Sequence, residues 1–243
     1  MTFAAIAMLC AMTSADAVAV VLNSPSATGA KTFAAAKAIV ERDAAAGRPL
    51  QQFVIGVTTD DKKLAERYLA ASRGRILALA EKTDNPLAWY LLSLETNDCR
   101  LLMRAANGGN VQALNALGTL ATQEALAARG PGADTNKLQR VLEKSYGYFR
   151  RAAAQRDPNG FVNLGACYLQ GIGCPQDMAM AFQCYRSAAE AGHPEAMDNL
   201  SAMYQFGHGV EKNTELSLFW GMRGRAVRGD EAAAKWLRER KSR

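Results

Sequence analysis

The sequence predicts an all-α fold, and three observations lead to that prediction. Alanine and leucine dominate the 243-residue chain while β-branched residues are sparse, a bias that favours helix. Only seven prolines interrupt the chain, and no stretch shows sustained alternation of polar and apolar residues; Phe53-Val54-Ile55 is the one strand-like run. A helix-turn-helix pattern also recurs at a fixed spacing in the second half, which indicates stacked helical hairpins.

The first 30 residues are expected to lie outside the repeats. Residues 2–22 form a mostly apolar run, and Ala15-Asp16-Ala17 has the small-x-small form of a signal-peptidase site. We therefore expect residues 1–17 to be a signal peptide and residues 18–30 a flexible linker, with the protein in the periplasm or secreted. A frayed N-terminal helix and a cytoplasmic location are the alternative, because no lysine or arginine precedes the apolar run.

The second half of the chain contains an internal repeat. Residues 163–173 align with residues 199–209 at a constant offset of 36, with the asparagine, leucine, tyrosine and both glycines in register. A second amphipathic run follows each segment, at residues 178–191 and 215–227, and ends at a glycine. Each period therefore predicts one hairpin of two helices. Because a single hairpin cannot bury its apolar face, the hairpins are expected to stack.

Glycine and proline positions add detail to this prediction. Gly165 is expected where a neighbouring helix comes close, since it has no side chain to exclude one. The two Gly-x-Gly segments, at residues 171–173 and 207–209, are expected to supply the left-handed backbone that ends a first helix. Pro194 is predicted to open the next first helix, where its missing N–H costs nothing.

The repeat weakens toward the N-terminus. Residues 110–118 carry the first-helix pattern, and an insertion near residues 128–134 accounts for their spacing of 47 from the next unit. Degenerate hairpins are predicted around residues 47–56 and 86–109. The predicted organisation is degenerate repeats over residues 31–109, clear repeats over residues 110–229 and a basic capping helix over residues 230–243.

The residues of the repeat resemble a known family. Leu-Gly-x-x-Tyr in the first helix, Gly-x-Gly-Val at residues 207–210, and an aromatic and small-residue run closing on glycine are similar to the Sel-one-like repeat (SLR) family, relatives of tetratricopeptide repeats. Departures include Cys174 for valine, Ser201 for glycine, and Gly221 and Gly224 in the last second helix. The resemblance implies a right-handed α/α superhelix, a solenoid of hairpins that scaffolds protein assemblies, often in bacterial cell envelopes.

The sequence shows no credible catalytic constellation. Its two histidines, His193 and His208, are predicted to lie in turns at a spacing that is not a ligand motif. Neither Gly-x-Gly segment follows a strand or carries a phosphate-loop lysine. Asp60 and Asp61 are predicted to cap a helix rather than to form a catalytic pair. We therefore expect no enzyme activity, no cofactor and no metal, and a scaffold or adaptor that binds a protein or peptide.

The resemblance leaves one enzymatic alternative. Some secreted cysteine-rich SLR proteins bind or slowly hydrolyse β-lactams. This chain lacks the regular cysteine pairing across every repeat and a Ser-x-x-Lys motif at a helix start. Cys167, Cys174 and Cys184 lie within one repeat, so a disulfide is an option in an oxidising compartment, and buried small hydrophobes are the other interpretation.

Helical spacing predicts the binding surface. In a stack of hairpins the first helices line the concave side, and side chains not packed by the repeat's leucine and tyrosine are expected to face the groove. The predicted lining is small, neutral and amide-rich, which suits an extended peptide or a glycan. It consists of Gln112, Asn115, Thr119, Gln123, Asn159, Val162, Ala166, Gln170, Glu195, Asp198, Ala202 and Gln205.

The positive charge of the chain is concentrated at its C-terminus. From residue 221 onward eight basic residues accompany three acidic ones, so most of the net charge of +6 lies there. This predicts attraction to an acidic partner or an anionic surface, with a solvated capping helix as the alternative. Recognition of a specific nucleic-acid sequence is not expected.

Overall fold

The computed structural model describes residues 30–241, with side chains described for residues 37–240. The predicted signal peptide, most of the predicted linker and Cys10 lie outside the described residues. All regular structure within residues 30–241 is helical and comprises twelve helices. The prediction of an all-α fold built from helical hairpins is therefore confirmed.

The described residues form two compact units that divide between Ala113 and Leu114. Helices α2 and α3 pair in the first unit, as do α4 and α5, so each of these two pairs forms a helical hairpin. The helices of the first unit are α1 Ala30–Ala45, α2 Pro49–Thr58, α3 Lys62–Thr83, α4 Pro86–Thr96, α5 Cys99–Asn107 and the start of α6 Val111–Ala127.

The strand-like run Phe53-Val54-Ile55 belongs to helix α2. Pro49 opens this helix, in the first turn, where proline is tolerated. Consecutive residues of a helix point in different directions, yet all three side chains are buried. This is because α2 packs against α1, α3 and α4. A helix covered on several sides has apolar residues on more than one face, and its sequence loses the helical period.

Asp61 caps helix α3, as predicted. Its carboxylate accepts hydrogen bonds from the backbone N–H groups of Lys63 at 3.0 Å and Leu64 at 3.1 Å. These two donors belong to the first turn and have no acceptor within the helix. The aspartate therefore acts in local structure.

The second unit contains three hairpins and one further helix. Each hairpin contacts the next, because α7 packs on α8, α9 on α10 and α11 on α12. Proline opens α10, as predicted, and it also opens α8. Residues 128–134 form the predicted inserted connection between α6 and α7. After α6, the helices are α7 Thr135–Ala154, α8 Pro158–Gln170, α9 Met178–Glu190, α10 Pro194–Phe206, α11 Thr214–Val227 and α12 Glu231–Lys241.

The two Gly-x-Gly segments end first helices, as predicted. Gly171 has φ +70° and Gly207 has φ +76°, both in the left-handed region. The second glycine of each segment has an additional constraint. A Cβ on Gly173 would lie 2.1 Å from the carbonyl oxygen of Leu142, and one on Gly209 would lie 2.1 Å from that of Met178. Backbone contact with the preceding second helix therefore requires glycine there.

Each of the first two hairpins has an aromatic ring lying against a glycine. A Cβ added to Gly118 would meet the Phe149 ring at 2.5 Å, and one added to Gly165 would meet the Tyr185 ring at 3.0 Å. Gly165 therefore lies at a close helix approach, as predicted. Phe149 and Tyr185 are both buried, so this glycine–ring contact brings the two helices of each hairpin together over an apolar core.

We predict that Gly118→Ala lowers the free energy of unfolding by about 1–3 kcal/mol, because the new methyl group would overlap the Phe149 ring. The matched control is Gly147→Ala in α7, where a Cβ would meet nothing within 4 Å. It should stabilise the protein by about 0.4–1 kcal/mol through reduced backbone entropy of the unfolded chain. Urea unfolding followed by circular dichroism measures both. A Gly118→Ala variant as stable as Gly147→Ala would contradict the packing role of the contact.

Candidate functional site

Polar side chains connect the first helices of successive hairpins. Asp157 caps α8, and its Oδ2 accepts hydrogen bonds from the backbone N–H of Gly160 and from Asn115 Nδ2 of α6, both at 2.7 Å. Asn163 Nδ2 donates in turn to Oδ1 of Asn115 at 3.3 Å. Asn115 therefore has hydrogen-bond partners on the neighbouring first helix.

His193 makes the next connection, between α8 and α10. It is the N-cap of α10, and its Nδ1 accepts a hydrogen bond from the backbone N–H of Ala196 at 3.4 Å. Because Nδ1 accepts, Nε2 carries the proton and donates to Oδ1 of Asn159 at 3.1 Å. The ring is only 2% exposed. The predicted turn histidine is thus a buried helix cap that joins two hairpins.

The pKa of His193 is lowered from its ordinary value of 6.5. Burial is the largest cause, since it disfavours the charged imidazolium. The carboxylate of Asp157 acts in the opposite direction, and the guanidinium of Arg228 acts in the same direction as burial. The neutral ring is also the form that can cap α10 through Nδ1.

In the third hairpin, an ion pair joins the two helices of the same hairpin. Asp198 of α10 forms an ion pair with Arg228, the residue that caps the C-terminal end of α11. Asn115, Asn159 and Asp198 therefore all have partners within the second unit. Their part in the predicted binding surface is reduced accordingly, because partner binding would have to compete with these contacts.

The predicted lining residues differ in how far their side chains are exposed to solvent. Val162 was wrongly placed, because its side chain is only 7% exposed and packs in a core with Phe182 and Tyr185. It faces the second helix of its hairpin, which helical spacing alone did not reveal. The half-buried residues are Gln112, Asn115, Asn159 and Ala166. The exposed residues are Thr119, Gln123, Gln170, Glu195, Asp198, Ala202 and Gln205. Their binding role stays a prediction.

Sequence reasoning missed one exposed residue of this surface. The 36-residue offset places Phe206 at the position of Gln170, which in turn corresponds to Gln123 in the first hairpin. The Phe206 side chain is 62% exposed, and its ring stacks on His208 with centroids 5.7 Å apart. The offset itself would have found this residue, since Gln205 corresponds to the inward position of Leu169.

A groove lies between the helices of the third hairpin. Its volume is about 440 Å³, and Ser201 on one side donates a hydrogen bond to the carbonyl oxygen of Ser217 on the other at 2.7 Å. Two residues of the predicted lining, Asp198 and Gln205, belong to it. The full lining is Asp198, Ser201, Gln205, Thr214, Ser217, Leu218, Gly221, Met222 and Arg225.

The three cysteines of the second hairpin meet in one apolar core. Cys167 and Cys184 are buried beside Phe149 and Leu164, with the half-buried Cys174 packed against them. All three thiols are free in the structure. Burial raises the pKa of Cys167 to about 12 and that of Cys184 to about 11, so both remain protonated and unreactive at neutral pH. These observations favour the interpretation of the three cysteines as small hydrophobic residues. Binding or hydrolysis of β-lactams stays a prediction.

Acidic neighbours accompany part of the basic C-terminal segment. Arg240 of α12 pairs with Glu215 of α11, and its guanidinium lies 5.4 Å from the ring centroid of Trp236. Arg225 pairs with Asp230 at 2.6 Å. Exposed pairs of this kind contribute about 0–1 kcal/mol each. These ion pairs connect α12 to the preceding hairpin. Attraction of the basic C-terminal segment to an acidic partner stays a prediction.

Within the residues that the structure describes, no group of three or more histidine, cysteine, aspartate or glutamate side chains could hold a metal ion. Among the helices of this same part of the chain, none is both long enough and apolar enough to cross a membrane.

Hairpins of two helices that pack one on the next, with successive first helices joined through their N-terminal caps, define an α-helical repeat protein. The sequence profile of the Sel1 repeat matches residues 112–157, 162–193 and 194–220, which correspond to the three hairpins of the second unit. Residues 112–220 of the chain therefore contain three matches to the Sel1 repeat, the family that the sequence resemblance predicted.

Two relatives illustrate the extent of the similarity. A 104-residue alignment is 31% identical to DAP3-binding cell death enhancer 1 of Rattus norvegicus and covers 43% of this chain and 18% of that protein. A 73-residue alignment is 40% identical to cytochrome c oxidase assembly factor 7 of Xenopus tropicalis and covers 30% of this chain and 32% of that protein. The chain thus spans no more than about a third of either relative.

Two solved structures show a looser similarity. A Sel1 repeat protein from Oxalobacter formigenes is 24% identical with a TM-score of 0.45, over 52% of this chain and 88% of that one. A protective antigen present in uropathogenic Escherichia coli strains, which displays an SLR fold, is 20% identical with a TM-score of 0.37. The latter comparison covers 82% of this chain and 52% of the antigen.

We predict that His193 makes the stability of the second unit depend on pH. Its pKa is lowered in the folded state, so the unfolded state takes up a proton more readily. The stabilisation is therefore complete above about pH 6.5 and is lost as the pH falls toward the folded-state pKa. Urea unfolding at roughly pH 7.5 and pH 5.5 should show a smaller loss of stability for His193→Asn than for the wild type.

The control for this measurement is His208→Asn, which removes an exposed histidine. Asparagine at position 193 keeps a side chain that can cap α10 but cannot titrate. The His208→Asn variant should lose stability on acidification as the wild type does. Equal pH dependence in all three proteins would contradict a titrating cap at position 193.

Proposed function

We propose that the protein is a non-enzymatic scaffold that binds a protein or peptide partner on the exposed face of its Sel1-repeat first helices. The observation that carries the proposal is a row of side chains at equivalent positions in three successive first helices. This row, which we call the first-helix row, consists of Gln123, Gln170 and Phe206, and all three are exposed.

The chemistry of the first-helix row suits a polypeptide. Each glutamine amide can both donate and accept a hydrogen bond with an extended backbone. The exposed Phe206 ring offers an apolar anchor of the kind enriched at protein interfaces. One turn earlier in each first helix the equivalent residues are small, namely Thr119, Ala166 and Ala202. Small residues allow a partner's backbone to approach the helices closely.

The names of the relatives support a protein as the partner. One is described as DAP3-binding and the other as an assembly factor, so both names refer to association with other proteins. The two alignments cover 43% and 30% of this chain. We extend this to the present protein as a scaffold role, and we propose the basic end of α12 as a secondary contact for an acidic partner.

We predict that the double change Gln123→Arg with Gln170→Arg lowers partner recovery by about tenfold or more, since two bulky charges would enter the interface. Quantitative mass spectrometry after affinity capture on the purified protein measures recovery. The matched control is Gln139→Arg with Gln183→Arg, which makes the same change at exposed glutamines of the second helices α7 and α9.

Circular dichroism and thermal melting should be the same for both double variants, because all four positions are exposed. Partners that remain bound to Gln123→Arg with Gln170→Arg would place the binding site on another face. Equal losses in the two variants would show a non-specific effect of charge.

We also propose that the protein acts outside the cytoplasm, in the periplasm or beyond, with residues 1–17 as a cleaved signal peptide. The support is the Ala15-Asp16-Ala17 sequence after an apolar run. N-terminal sequencing of the native protein should then begin at Val18. A native chain beginning at Met1 or Thr2 in the cytosolic fraction would refute this proposal.

A further inference from the structure

The third hairpin lacks the glycine–ring contact found in the first two. Phe149 lies on Gly118 and Tyr185 lies on Gly165. The 36-residue offset places Gly221 at the position of Tyr185 and Ser201 at the position of Gly165. The third hairpin therefore has no aromatic ring at this position. Its glycine lies on the second helix, whereas Gly118 and Gly165 lie on first helices.

The missing ring coincides with the groove between α10 and α11, which we call the α10–α11 groove. Both Ser201 and Gly221 line it. A Cβ on Gly221 would lie 3.2 Å from Ser201 Oγ, so the two residues face each other across its floor. The volume of about 440 Å³ lies within the range of about 300–1,000 Å³ that is usual for binding pockets.

A second aromatic side chain of the repeat is replaced by a smaller, aliphatic one at this site. Leu218 stands at the position of Phe182, and it is 48% exposed whereas Phe182 is 6% exposed. In the second hairpin Phe182 and Tyr185 are covered by residues of the next first helix, including Met197 and Leu200. In the third hairpin the residues that line the groove come from α10 and α11, and within the described chain α12 contributes none of them.

The charges at the rim of the α10–α11 groove favour an uncharged occupant. Asp198 is paired with Arg228, and Arg225 is paired with Asp230. An acidic or basic side chain entering the groove would lose hydration without an unpaired opposite charge at these two positions. Leu218 and Met222 supply apolar contact, and the thioether of methionine contacts aromatic rings favourably.

We propose that the α10–α11 groove binds a phenylalanine or tyrosine side chain from the partner protein. The partner's ring would take the place of the aromatic side chain that is absent at Gly221. The occupant is argued from the protein's own preceding hairpins, where Phe149 and Tyr185 fill the equivalent position against a glycine. The inference rests on the proposed function, because it takes the partner to be a protein. It adds a second contact point to the first-helix row.

Small amino-acid amides provide the direct test. The full-length wild-type protein is titrated with N-acetyl-phenylalaninamide, N-acetyl-leucinamide and N-acetyl-glutamate amide, and backbone amide shifts are followed by NMR. We expect saturable shifts at Ser201, Ser217 and Gly221 with the phenylalanine compound. Binding of the leucine compound should be about 2- to 10-fold weaker, because aromatic contacts add to the effect of burial alone. No saturable shift is expected with the glutamate compound.

The double change Ser201→Gly with Gly221→Tyr tests the same idea from within the chain. It restores the pattern of Gly165 and Tyr185, so the new ring should fill the groove. We expect an unchanged or higher melting temperature and loss of the phenylalanine-dependent shifts. Ser201→Gly alone is the control, since it leaves the groove open and should retain binding.

Three results would overturn the inference. They are an absence of saturable shifts in the wild type, equal binding of the phenylalanine and leucine compounds, and retained binding by a folded Ser201→Gly/Gly221→Tyr variant. If the double variant fails to fold, the wild-type titration still decides. Captured partners that depend on Gln123 and Gln170 but not on the groove variant would leave the scaffold function standing while this inference fails.

Discussion

The contact between an aromatic ring and a glycine determines how closely the two helices of a hairpin pack. In the first two hairpins of the second unit, Phe149 and Tyr185 lie against Gly118 and Gly165. Tyr185 is then part of the core that the next first helix covers. Because the stability of a repeat array is the sum of terms within units and between neighbours, one such ring contributes to both.

The polar connections between first helices add a directional constraint to this apolar packing. Buried polar groups are costly unless they are hydrogen-bonded, so a pair such as Asn115 with Asp157, or Asn159 with His193, favours one register of neighbouring helices. The same pairs explain why some amide side chains are unsuited to partner binding. The side chains that remain available to a partner lie toward the C-terminal end of each first helix, where the first-helix row is located.

The third hairpin departs from this pattern. Its Ser201 and Gly221 remove the ring contact and leave a groove, while the helix ends are still joined by the Asp198–Arg228 ion pair. Within the described residues the single helix α12 follows the third hairpin, and a repeat surface that no neighbouring unit covers needs polar or small residues or a cap. Here α12 packs on α11, and the groove beside it stays open.

The sequence by itself determined the helical fold, the hairpin period and the helix ends. These depend on local preferences, such as proline at position 194, left-handed glycine at 171 and 207, and an aspartate cap at 61, which act over a few residues. It also identified Gln123 and Gln170 as exposed. Only the tertiary structure decided that Val162 is buried, that Asn115 and His193 join hairpins, and that a groove replaces a ring at Gly221. Those outcomes depend on which neighbouring helix each side chain meets, and local periodicity contains no information about that neighbour.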